Sequence, residues 1–568
     1  MTAQHASFGP VGVVGLGSVG QSLVELLSGA GIDVLGVDCD PGAVTRARGR
    51  APGSVLLGND ISALSAAEVV IEAVPEHYER KALVLRAIAE TCQPGTVLVS
   101  TTASLSLASL AVASGRPGQV VGLAFLAPPA ERTGVELVVT AMSSAEAAAK
   151  AKELLELLPI AQKDLGAARG HAWDLVLAYL NRSVALYEVG YATREDIDTA
   201  MRLGCGLPTG PLALLDRIGL DVAQRALTDL HERTGIATHA PTGLLNRMVE
   251  GGLLGRKAGQ GFYTYSPAGE IDSEPERSDR GGAALAREIK RVGVVGSGTM
   301  ARGIAQVITQ AGLETVLVAR DEHKADAAVR AVDESLVRAV RRGRVTPDQR
   351  RAALSLLIPS ASRAAVADCD LVIEATAEEI EVKTAVFAEL DGICKKGAIL
   401  ATTTSSLSVT ACAEATTRRA DVVGMHFFNP APAMKLVEVS RTEFTGDDVL
   451  TSVHALASRL RKTTVDCSDR AGFIVNYLLF PYLNDAIRLV ESGAATVPGL
   501  DAAIESGFGY PMGPFTLLDT IGLDISEAIQ WRLHEINYDP DVKPATLLTR
   551  LVELGRLGRK TGAGFWGA

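Results

Sequence analysis

The sequence lacks the segments that mark secreted and membrane proteins. Its first residues, Met1 to Pro10, contain no basic stretch followed by an apolar run, so they do not resemble a signal peptide. No run of about 18 uninterrupted apolar residues occurs, and a membrane-spanning helix needs one. The sequence therefore predicts a protein with no membrane partner.

Paired cysteines and an excess of positive charge are also missing. The seven cysteines are scattered, with no Cys-x-x-Cys pair and no metal-ligand spacing, which predicts no metal site and a reducing, cytoplasmic location. Lys and Arg number 55 against 66 Asp and Glu, which gives a net charge of −11. An acidic chain of this kind predicts no nucleic-acid partner.

The sequence does contain a duplication that covers almost its whole length. At about 150 residues per domain, 568 residues predict about four domains. Several motifs of the first half return in the second half in the same order. Gly15–Gly20 recurs as Gly296–Ala301, Pro208–Pro211 as Pro511–Pro514, and Gly255–Lys257 as Gly558–Lys560.

Each copy begins with alternating strand and helix patterns and ends in a purely helical region. The apolar strands Val11–Gly15 and Val292–Gly296 run into glycine-rich turns followed by helical spacing, which is typical of a βαβ opening. The predicted fold class is α/β, with two Rossmann-type dinucleotide-binding domains, each followed by an all-α domain. The predicted domains are 9–165 and 166–265, a polar linker at 266–288, then 289–465 and 466–568.

Both opening turns have the composition of a pyrophosphate cradle. Glycines permit a tight turn and a close approach of phosphate to the backbone, and a helix N-terminus favours negative charge. The alternative is a purely structural strand–helix turn. The predicted cofactor residues are Gly15, Gly17 and Gly20 in the first copy, and Gly296, Gly298, Thr299, Met300 and Ala301 in the second.

The end of the second strand predicts which dinucleotide fits each copy. In the first copy it is Asp38, whose carboxylate would bond a ribose 2′-hydroxyl and repel a 2′-phosphate, which indicates NAD if this copy binds a cofactor. In the second copy this position is Ala319, followed by Arg320, whose guanidinium suits the 2′-phosphate of NADP. The second copy is therefore predicted to favour NADP over NAD. The alternative is that Arg320 is solvated and Asp321 bonds the ribose of NAD.

Three motifs of the second copy are similar to those of one known enzyme family. His426–Val439, Thr404–Leu407 and Gly472–Asn476 resemble the 3-hydroxyacyl-CoA dehydrogenases, which include the bacterial 3-hydroxybutyryl-CoA dehydrogenases. The resemblance covers both copies almost end to end. It implies four catalytic residues: His426 as acid and base, Glu438 as the residue that orients it, and Ser405 and Asn476 as groups that hold the reacting oxygen and the thioester region.

The chemistry of these side chains agrees with the implied roles. Oxidation of a secondary alcohol needs a base for the hydroxyl proton, and imidazole titrates near neutrality. A carboxylate on the other ring nitrogen fixes the tautomer and stabilises the imidazolium. Glu378 and Lys383 match family positions near the cofactor, and ordinary surface charge is the alternative for both. Thr403 and Tyr477 depart from the family pattern.

The first copy is predicted to be degenerate, because its aligned residues are of other types. Without a base, the alignment predicts no catalysis there. The aligned pairs are Ala103 with Ser405, Ala124 with His426, Trp173 with Asn476, and Val139 with Glu438, with Glu136 as the alternative to Val139.

The second copy also has 21 additional residues within Lys324–Ser360, and the pattern of this segment predicts two helices on either side of Gly343. A hairpin at this place contacts CoA in the family, so the resemblance implies that its arginines bind the phosphates of CoA. The alternative is a solvated basic face. The predicted CoA contacts are Arg338, Arg341, Arg342 and Arg344.

The resemblance and the residues together predict a 3-hydroxyacyl-CoA dehydrogenase that transfers hydride between NAD(P) and C3 of an L-3-hydroxyacyl-CoA, at the second copy only. Because relatives dimerise through their helical domains, an intrachain pseudo-dimer is implied, and a further homo-oligomer stays open. One alternative is a related dehydrogenase acting on another 3-hydroxy acid or on a carrier-protein-bound acyl group. Another is a nucleotide-sensing or scaffold role for the first copy.

Overall fold

The structure is a computed structural model of the chain, and each copy in it contains one eight-stranded sheet followed by helices. Among the described residues, no helix combines the length and the apolar character that crossing a membrane requires. The structure describes all residues except 1–7, 49–54, 103–104, 126–128, 130–133, 163–167, 268, 274–284, 538 and 568.

The first copy contains strands β1 to β8 and helices α1 to α10. The strands are β1 Val11–Val14, β2 Val34–Val37, β3 Val55–Gly58, β4 Val69–Glu72, β5 Val97–Ser100, β6 Val120–Phe125, β7 Gly134–Val138 and β8 Ala161–Gln162. The helices are α1 Ser18–Gly29, α2 Pro41–Arg48, α3 Tyr78–Thr91, α4 Leu107–Ser114, α5 Ala145–Glu156, α6 Ala168–Glu188, α7 Arg194–Cys205, α8 Pro211–Ile218, α9 Leu220–Thr234 and α10 Gly243–Glu250.

The second copy contains strands β9 to β16 and helices α11 to α21. The strands are β9 Arg291–Val295, β10 Glu314–Val318, β11 Leu357–Ser360, β12 Leu371–Glu374, β13 Ile399–Thr402, β14 Val422–Phe427, β15 Leu436–Arg441 and β16 Thr463–Ser468. The helices are α11 Thr299–Gln310, α12 Glu322–Arg341, α13 Pro347–Ser355, α14 Ile380–Ile393, α15 Val409–Glu414, α16 Asp447–Arg459, α17 Val475–Glu491, α18 Val497–Phe508, α19 Pro514–Ile521, α20 Leu523–Asn537 and α21 Thr546–Glu553.

The two sheets have the same strand order. It is β3-β2-β1-β4-β5-β6-β7-β8 in the first copy and β11-β10-β9-β12-β13-β14-β15-β16 in the second. All pairs are parallel except β6 with β7 and β14 with β15. The central strands are continuous apolar runs because helices cover both faces of the sheet. The order reverses between β9 and β12, which opens a crevice at the carboxyl ends of these strands. The predicted fold class is confirmed.

The additional residues of the second copy form the predicted helical hairpin. Between Val318 and Leu357 the chain advances 39 positions, against 18 between Val37 and Val55 in the first copy. Thr346 accepts a hydrogen bond from the backbone N–H of Gln349, and Pro347 is the first residue of α13. The hairpin is held closed by an ion pair in which Arg350 Nε is 2.5 Å from Asp333 Oδ1.

The helical regions of the two copies pack against each other. Helix α6 lies along α17, α7 packs on β15 and β16, and α18 packs on β7. One continuous apolar core contains buried residues of both helical regions. Arg182 Nη1 donates to Asp539 Oδ2 at 2.7 Å, and the Tyr191 hydroxyl donates to the backbone oxygen of Ser468 at 2.8 Å.

About half of the predicted linker, 266–288, lies outside the described residues, which do not include 268 and 274–284. Towards its end, Arg287 Nε donates to Asp448 Oδ2 at 2.7 Å, which fixes the chain onto the second sheet domain. The exact domain boundaries stay a prediction.

Candidate active site

His426 and Glu438 form the centre of the site in the second copy. They lie directly opposite each other in the antiparallel pair β14–β15. His426 Nδ1 is 2.7 Å from Glu438 Oε2, and both side chains are buried. Because a carboxylate only accepts, Nδ1 carries the proton and Nε2 is the nitrogen that can take one. The sheet register therefore builds the pair that the sequence predicted.

The second oxygen of Glu438 is held by a helix N-terminus. Glu438 Oε1 accepts from the backbone N–H groups of Ile474, at 3.0 Å, and Val475, at 2.9 Å. These amides open α17, where the helix dipole favours a negative charge. The carboxylate is therefore fixed in position and kept available to the imidazole.

A strained turn brings α17 to this carboxylate. Gly472 and Phe473 both have positive φ, +83° and +46°. A Cβ on Gly472 would lie 2.7 Å from Leu533 and 3.0 Å from the backbone nitrogen of Tyr477, so glycine is required by space as well as by conformation. The Phe473 ring in turn lies 5.6 Å from the His426 ring, between ring centroids.

Ser405 is held by Glu378, which the sequence had assigned to the cofactor. Glu378 Oε1 accepts from the Thr404 hydroxyl at 2.6 Å, from the Ser405 backbone N–H at 2.7 Å and from the Ser405 hydroxyl at 3.0 Å. Burial alone would raise the pKa of Glu378, but Lys383 and these hydrogen bonds outweigh it and lower the pKa. Glu378 is therefore ionised at neutral pH and orders the loop that carries Ser405.

Lys383 is buried and paired with two acids. Its Nζ lies 2.9 Å from Glu374 Oε2 and 3.4 Å from Glu378 Oε2. The first copy repeats the arrangement, with Lys81 Nζ 2.9 Å from Glu72 Oε1. Sequence reasoning missed Glu374, and its recurrence as Glu72 at the same repeat spacing was the available signal. A contact from Lys383 to a cofactor stays a prediction.

Asn476 completes the group of four predicted residues. It is the second residue of α17, and its side-chain Nδ2 is 3.5 Å from the backbone oxygen of Ser405. The same helix start bonds Glu438, so Ser405, Asn476 and the His426–Glu438 pair meet at one place between the sheet and helical regions. The arrangement offers a base beside two uncharged polar side chains.

The glycine turn of the second copy has the geometry of a phosphate cradle. Gly296 has φ +135°, and a Cβ there would lie 2.2 Å from the backbone oxygen of Ala375. Around Gly298 a Cβ would meet nothing within 4 Å, so the space beside it is open. Helix α11 begins at Thr299 without a side-chain cap, which leaves its first amides for an anion.

The first copy keeps a turn of the same shape. A Cβ on Gly20 would lie 1.7 Å from the Gly15 oxygen, so this position also requires glycine. Asp38 stands at the predicted place after β2, and its carboxylate accepts from the backbone N–H groups of Leu16, at 2.7 Å, and Asp40, at 2.9 Å. The acid thus supports the turn itself, and a bond from it to a ribose stays a prediction.

The register of the second copy puts Ala319 in the place of Asp38. Val318 ends β10 as Val37 ends β2, and both pair with the strand that leads into the glycine turn. Asp321 is the N-cap of α12, where its Oδ1 accepts from the Lys324 backbone N–H at 2.8 Å. The position after Ala319 is Arg320, which is exposed.

The predicted CoA arginines are exposed on the hairpin. The described residues include no ion-pair partner for any of them within 4.0 Å, so their charges face solvent. Their assignment to CoA stays a prediction. They are Arg338 and Arg341 in α12, Arg342 at its C-cap, and Arg344 in the following turn.

In the first copy the alignment of Val139 with Glu438 is wrong. Strand register pairs Ala124 with Glu136, as it pairs His426 with Glu438. The connection between the two strands has the same length in both copies, so no gap is needed, and Val139 lies beyond β7 and is exposed. The first copy thus has Ala124 in place of the histidine but keeps the carboxylate as Glu136.

Of the residues aligned with Asn476 and Ser405, the structure describes Trp173 but not Ala103. Trp173 lies in α6, and its ring stacks on Phe508 at 6.3 Å between centroids. Ala103 lies outside the described residues. The first copy therefore has an indole packed against the second copy where the second copy has the Asn476 amide.

The first copy also forms a wall beside the site of the second. A Cβ on Gly204 of α7 would lie 2.8 Å from Val475 Cγ2 and 3.2 Å from Leu436 Cδ2, so α7 packs directly against the start of α17 and β15. Burial raises the pKa of the next residue, Cys205, to about 12, and the nearby charge of Glu438 adds to the rise. Its thiol is therefore protonated at neutral pH.

No group of three or more potential metal ligands occurs in the part of the chain that the structure describes. All seven cysteines are free thiols. A dinucleotide cradle in an α/β sheet, joined to a histidine–carboxylate pair, defines a class of nicotinamide-dependent dehydrogenases.

Comparison with known proteins gives the family. Residues 53–161 and 291–470 match the 3-hydroxyacyl-CoA dehydrogenase NAD-binding domain, and residues 174–265 and 472–568 match the C-terminal domain of the same family. The chain therefore belongs to the 3-hydroxyacyl-CoA dehydrogenase family, whose two domains it contains twice. It is an oxidoreductase with a nicotinamide dinucleotide cofactor.

Two relatives at 40% identity or more correspond in length to about one copy. A 3-hydroxybutyryl-CoA dehydrogenase of Mycobacterium tuberculosis is 44% identical over 280 residues, which is 49% of this chain and 98% of the relative. The mitochondrial hydroxyacyl-coenzyme A dehydrogenase of Homo sapiens is 40% identical over 285 residues, 49% of this chain and 91% of its own. The solved 3-hydroxybutyryl-CoA dehydrogenase of Escherichia coli K12 covers 96% of this chain and 99% of its own, with a TM-score of 0.51 and 21% identity, which shows a shared fold.

Proposed function

We propose that this protein interconverts an L-3-hydroxyacyl-CoA and a 3-oxoacyl-CoA at the second copy only. The observation that supports this most is the pair His426–Glu438, bonded at 2.7 Å, with the carboxylate held by the amides of Ile474 and Val475. The first copy has Ala124 at the histidine position. The first copy therefore lacks the imidazole that takes the alcohol proton in the second copy.

In the proposed reaction each residue has one task. In the oxidation direction, His426 Nε2 accepts the proton of the C3 hydroxyl, and Glu438 stabilises the imidazolium that forms. The Ser405 hydroxyl donates to Glu378 in this structure. Because the single proton of the C3 hydroxyl goes to His426, Ser405 holds the reacting oxygen by turning its own O–H toward that oxygen. The Asn476 amide lies beside Ser405 and can hold an oxygen without adding charge. In the reverse direction His426 returns the proton.

The glycine turn of the second copy fits the cofactor of the family. Gly298 leaves open space, Gly296 permits close approach, and the amides that start at Thr299 face an anion. When bound, the dinucleotide accepts or supplies the hydride at C3. We assign NADP rather than NAD to this copy, because Ala319 has no acid and the exposed Arg320 follows it; Asp321, which caps α12, is the residue that the NAD alternative would need.

The exposed arginines of the hairpin support CoA as the carrier of the acyl group. Four guanidinium groups on one short segment suit the phosphates of CoA. Only 18 positions separate Val37 from Val55 in the first copy, too few for such a hairpin, which agrees with catalysis at the second copy alone. The cytoplasmic location stays a prediction that rests on the seven free thiols.

The contacts between α6 and α17 support an intrachain pseudo-dimer with the first copy as scaffold. Tyr179 and Tyr482 occupy equivalent positions and face each other, 5.8 Å apart between ring centroids. Arg182 faces Asp539 and Asp541 of the other copy, at 2.7 and 3.5 Å. A contact between equivalent faces is expected if the duplication joined the two subunits of a symmetric dimer in one chain.

The test is the reduction of acetoacetyl-CoA, which is measured as the loss of NADH or NADPH absorbance. We expect turnover with both cofactors and a lower KM for NADPH. A wild-type protein that reduces acetoacetyl-CoA with neither NADH nor NADPH would overturn the proposed function. His426→Gln in the same assay separates the second copy from any activity of the first.

A further inference from the structure

One side chain of the first copy reaches the segment that completes the active site of the second. Tyr191 lies between α6 and α7, and its hydroxyl donates to the backbone oxygen of Ser468 at 2.8 Å. Ser468 ends β16, and residues 469–474, called here the connecting turn, lead from it into α17. This turn brings to Glu438 the backbone N–H groups that hold its carboxylate. Tyr191 therefore binds the second copy where the connecting turn begins.

The ring of Tyr191 contacts the connecting turn as well, through Arg470. The Arg470 guanidinium lies 3.9 Å from the centroid of the Tyr477 ring and 5.8 Å from the centroid of the Tyr191 ring. A guanidinium over an aromatic face is attracted by the ring quadrupole. The backbone oxygen of Arg470 accepts from the Phe473 N–H at 3.1 Å, inside the turn. Arg470 is thus held by one aromatic ring from each copy, and its backbone shapes the turn.

The connecting turn needs such support because its backbone is strained. The angle φ is +83° at Gly472 and +46° at Phe473, and a positive φ is unfavourable for a residue with a side chain. A strained turn persists only where its surroundings hold it. This one must deliver two backbone N–H groups to Glu438 Oε1, at 3.0 and 2.9 Å. A shift of the turn would therefore loosen the carboxylate that orients His426.

Tyr191 also lies close to that carboxylate. Burial raises the pKa of Tyr191 well above its ordinary value, and Cys467 and the charge of Glu438 add to the rise. The hydroxyl is therefore protonated at neutral pH and stays a donor to Ser468.

The second copy has alanine at the position equivalent to Tyr191. Thr193 and Thr496 are the N-caps of the equivalent helices α7 and α18, and two residues before the cap stands Tyr191 in the first copy but Ala494 in the second. Helix α7 packs on the strands that carry and flank Glu438, whereas α18 packs on β7 of the first copy. The tyrosine thus occurs only where it faces a complete histidine–carboxylate pair, as expected of a residue that serves that pair.

Resting on the proposed function, we propose that Tyr191 of the first copy is a positioning residue for catalysis in the second. Its hydroxyl and its ring fix the connecting turn, and the turn fixes the two amides that hold Glu438. Glu438 in turn orients His426. The first copy, which lacks the histidine, thereby sets the geometry of the site in the second copy.

The test uses the full-length chain and the reduction of acetoacetyl-CoA. Tyr191→Phe removes only the hydroxyl and should lower kcat about fivefold, as expected for one hydrogen bond. Tyr191→Ala also removes the ring below Arg470 and should lower kcat at least about tenfold. The KM for the dinucleotide should not change in either variant, because the glycine turn that begins at Gly296 belongs to another segment. The matched control is Thr238→Val, since the Thr238 hydroxyl also donates between the copies, to Asp541 at 2.6 Å, but away from the connecting turn.

A second measurement shows whether the effect of Tyr191 passes through Glu438 and His426. In a His426→Gln background, Tyr191→Ala should lower the remaining kcat by much less than in the wild-type background, because no imidazole is left to orient. Residues that act as one unit are non-additive in this way. The same fold loss in both backgrounds would overturn the proposal, since Tyr191 would then act independently of the pair.

The outcomes separate the two proposals. If the wild-type protein reduces acetoacetyl-CoA with neither cofactor, the proposed function fails and the positioning role fails with it. If the wild type is active and Tyr191→Phe keeps its kcat, or if Thr238→Val lowers kcat as much as Tyr191→Phe does, the function stands and only the positioning role is overturned. Thermal unfolding of each variant shows that a lower kcat comes from a folded protein, and Tyr191→Phe decides alone if Tyr191→Ala does not fold.

Discussion

His426 and Glu438 face each other across the antiparallel strands β14 and β15, and their side chains are joined at 2.7 Å. Residues paired in this register project to the same face of a sheet, so the strand pairing brings the imidazole and the carboxylate together before any loop contributes. The equivalent register in the first copy joins Ala124 and Glu136. The first copy thus has alanine where the second has the histidine base, and both copies have a glutamate at the position of the partner carboxylate.

We expect His426→Gln to lower kcat at least about 10²-fold, the lower end for removal of a general acid and base. Glutamine can still donate to Glu438, so the fold should be retained. The matched control is His454→Gln, because His454 also pairs with an acid, Asp466, at 2.9 Å, but stands outside the site. A near-wild-type kcat for His426→Gln would contradict catalysis at the second copy. Steady-state kinetics and thermal unfolding provide both readouts.

Glu378→Gln tests the residue that holds Ser405. The pKa of Glu378 is lowered in the folded protein, so its charge stabilises the fold at neutral pH, and this contribution is lost as pH falls below the ordinary carboxyl pKa and through the lowered pKa of the folded protein. We expect the variant to be less stable than wild type at pH 7, with a difference that shrinks in acid, and to have a reduced kcat because a neutral amide oxygen accepts the bonds from Ser405 more weakly than the carboxylate does.

The matched control for Glu378→Gln is Glu76→Gln in the first copy. Glu76 accepts from the Thr102 hydroxyl at 2.6 Å, as Glu378 accepts from Thr404. This variant should lose stability without a change in kcat. Equal loss of kcat in both variants would show that the effect is on folding and would remove the positioning role of Glu378.

Much of this architecture was predictable, because buried parallel strands and glycine turns leave strong local patterns. The helical spacing expected after the first glycine turn is found as α1, Ser18–Gly29. The edge strands β3, β11 and β16 were missed, since their half-exposed positions interrupt the apolar run that identifies a buried strand. The polar strand β16, Thr463–Ser468, looks like a loop until its pairing with β15 is known.

The site was predicted less completely than the fold. The spacing of His426 and Glu438 was recognisable from the resemblance, but Glu378 was assigned to the cofactor, because no local pattern shows that a glutamate reaches a loop 27 residues later. The Val139 alignment failed because an assumed gap replaced the simple repeat spacing that leads to Glu136. Contacts between distant segments depend on packing, which one sequence does not display.

Arg320→Ala tests the choice of dinucleotide. A charge-assisted bond to a 2′-phosphate is worth about 1.5–3 kcal/mol. We therefore expect the KM for NADPH to rise about tenfold or more while the KM for NADH changes little, measured with the same acyl-CoA. The exposed Arg330 of α12 is a suitable charge-matched control, and Arg330→Ala should leave both values unchanged. A strong wild-type preference for NADH with no effect of Arg320→Ala would support the NAD alternative through Asp321.

The last prediction concerns the contact between the copies, which is not symmetric in charge. Arg182 of α6 and Asp485 of α17 stand at equivalent positions, and Arg182 pairs with Asp539 at 2.7 Å. Burial raises the pKa of Asp485 to about 7, and Arg182 opposes that rise. Two second copies placed face to face would put Asp485 where Arg182 now pairs with Asp539, with Arg488 of the same helix, 3.6 Å from Asp485, as the nearby cation. We therefore expect the second copy to replace the first poorly by pairing with itself.

A truncated chain beginning at Leu285 should therefore expose the apolar face of α17, unfold at a lower temperature and aggregate, instead of forming an active symmetric dimer. Light scattering and thermal unfolding measure this, with the full-length chain as reference. In the full-length chain, Arg182→Met should also lower the unfolding temperature, because it removes the cation that pairs with Asp539 and offsets the charge of Asp485. Arg233→Met is the control, since Arg233 pairs with Asp174 within the first copy and is exposed. A monomeric, fully active and equally stable truncated chain would show that the first copy is not a scaffold and would favour its nucleotide-sensing role.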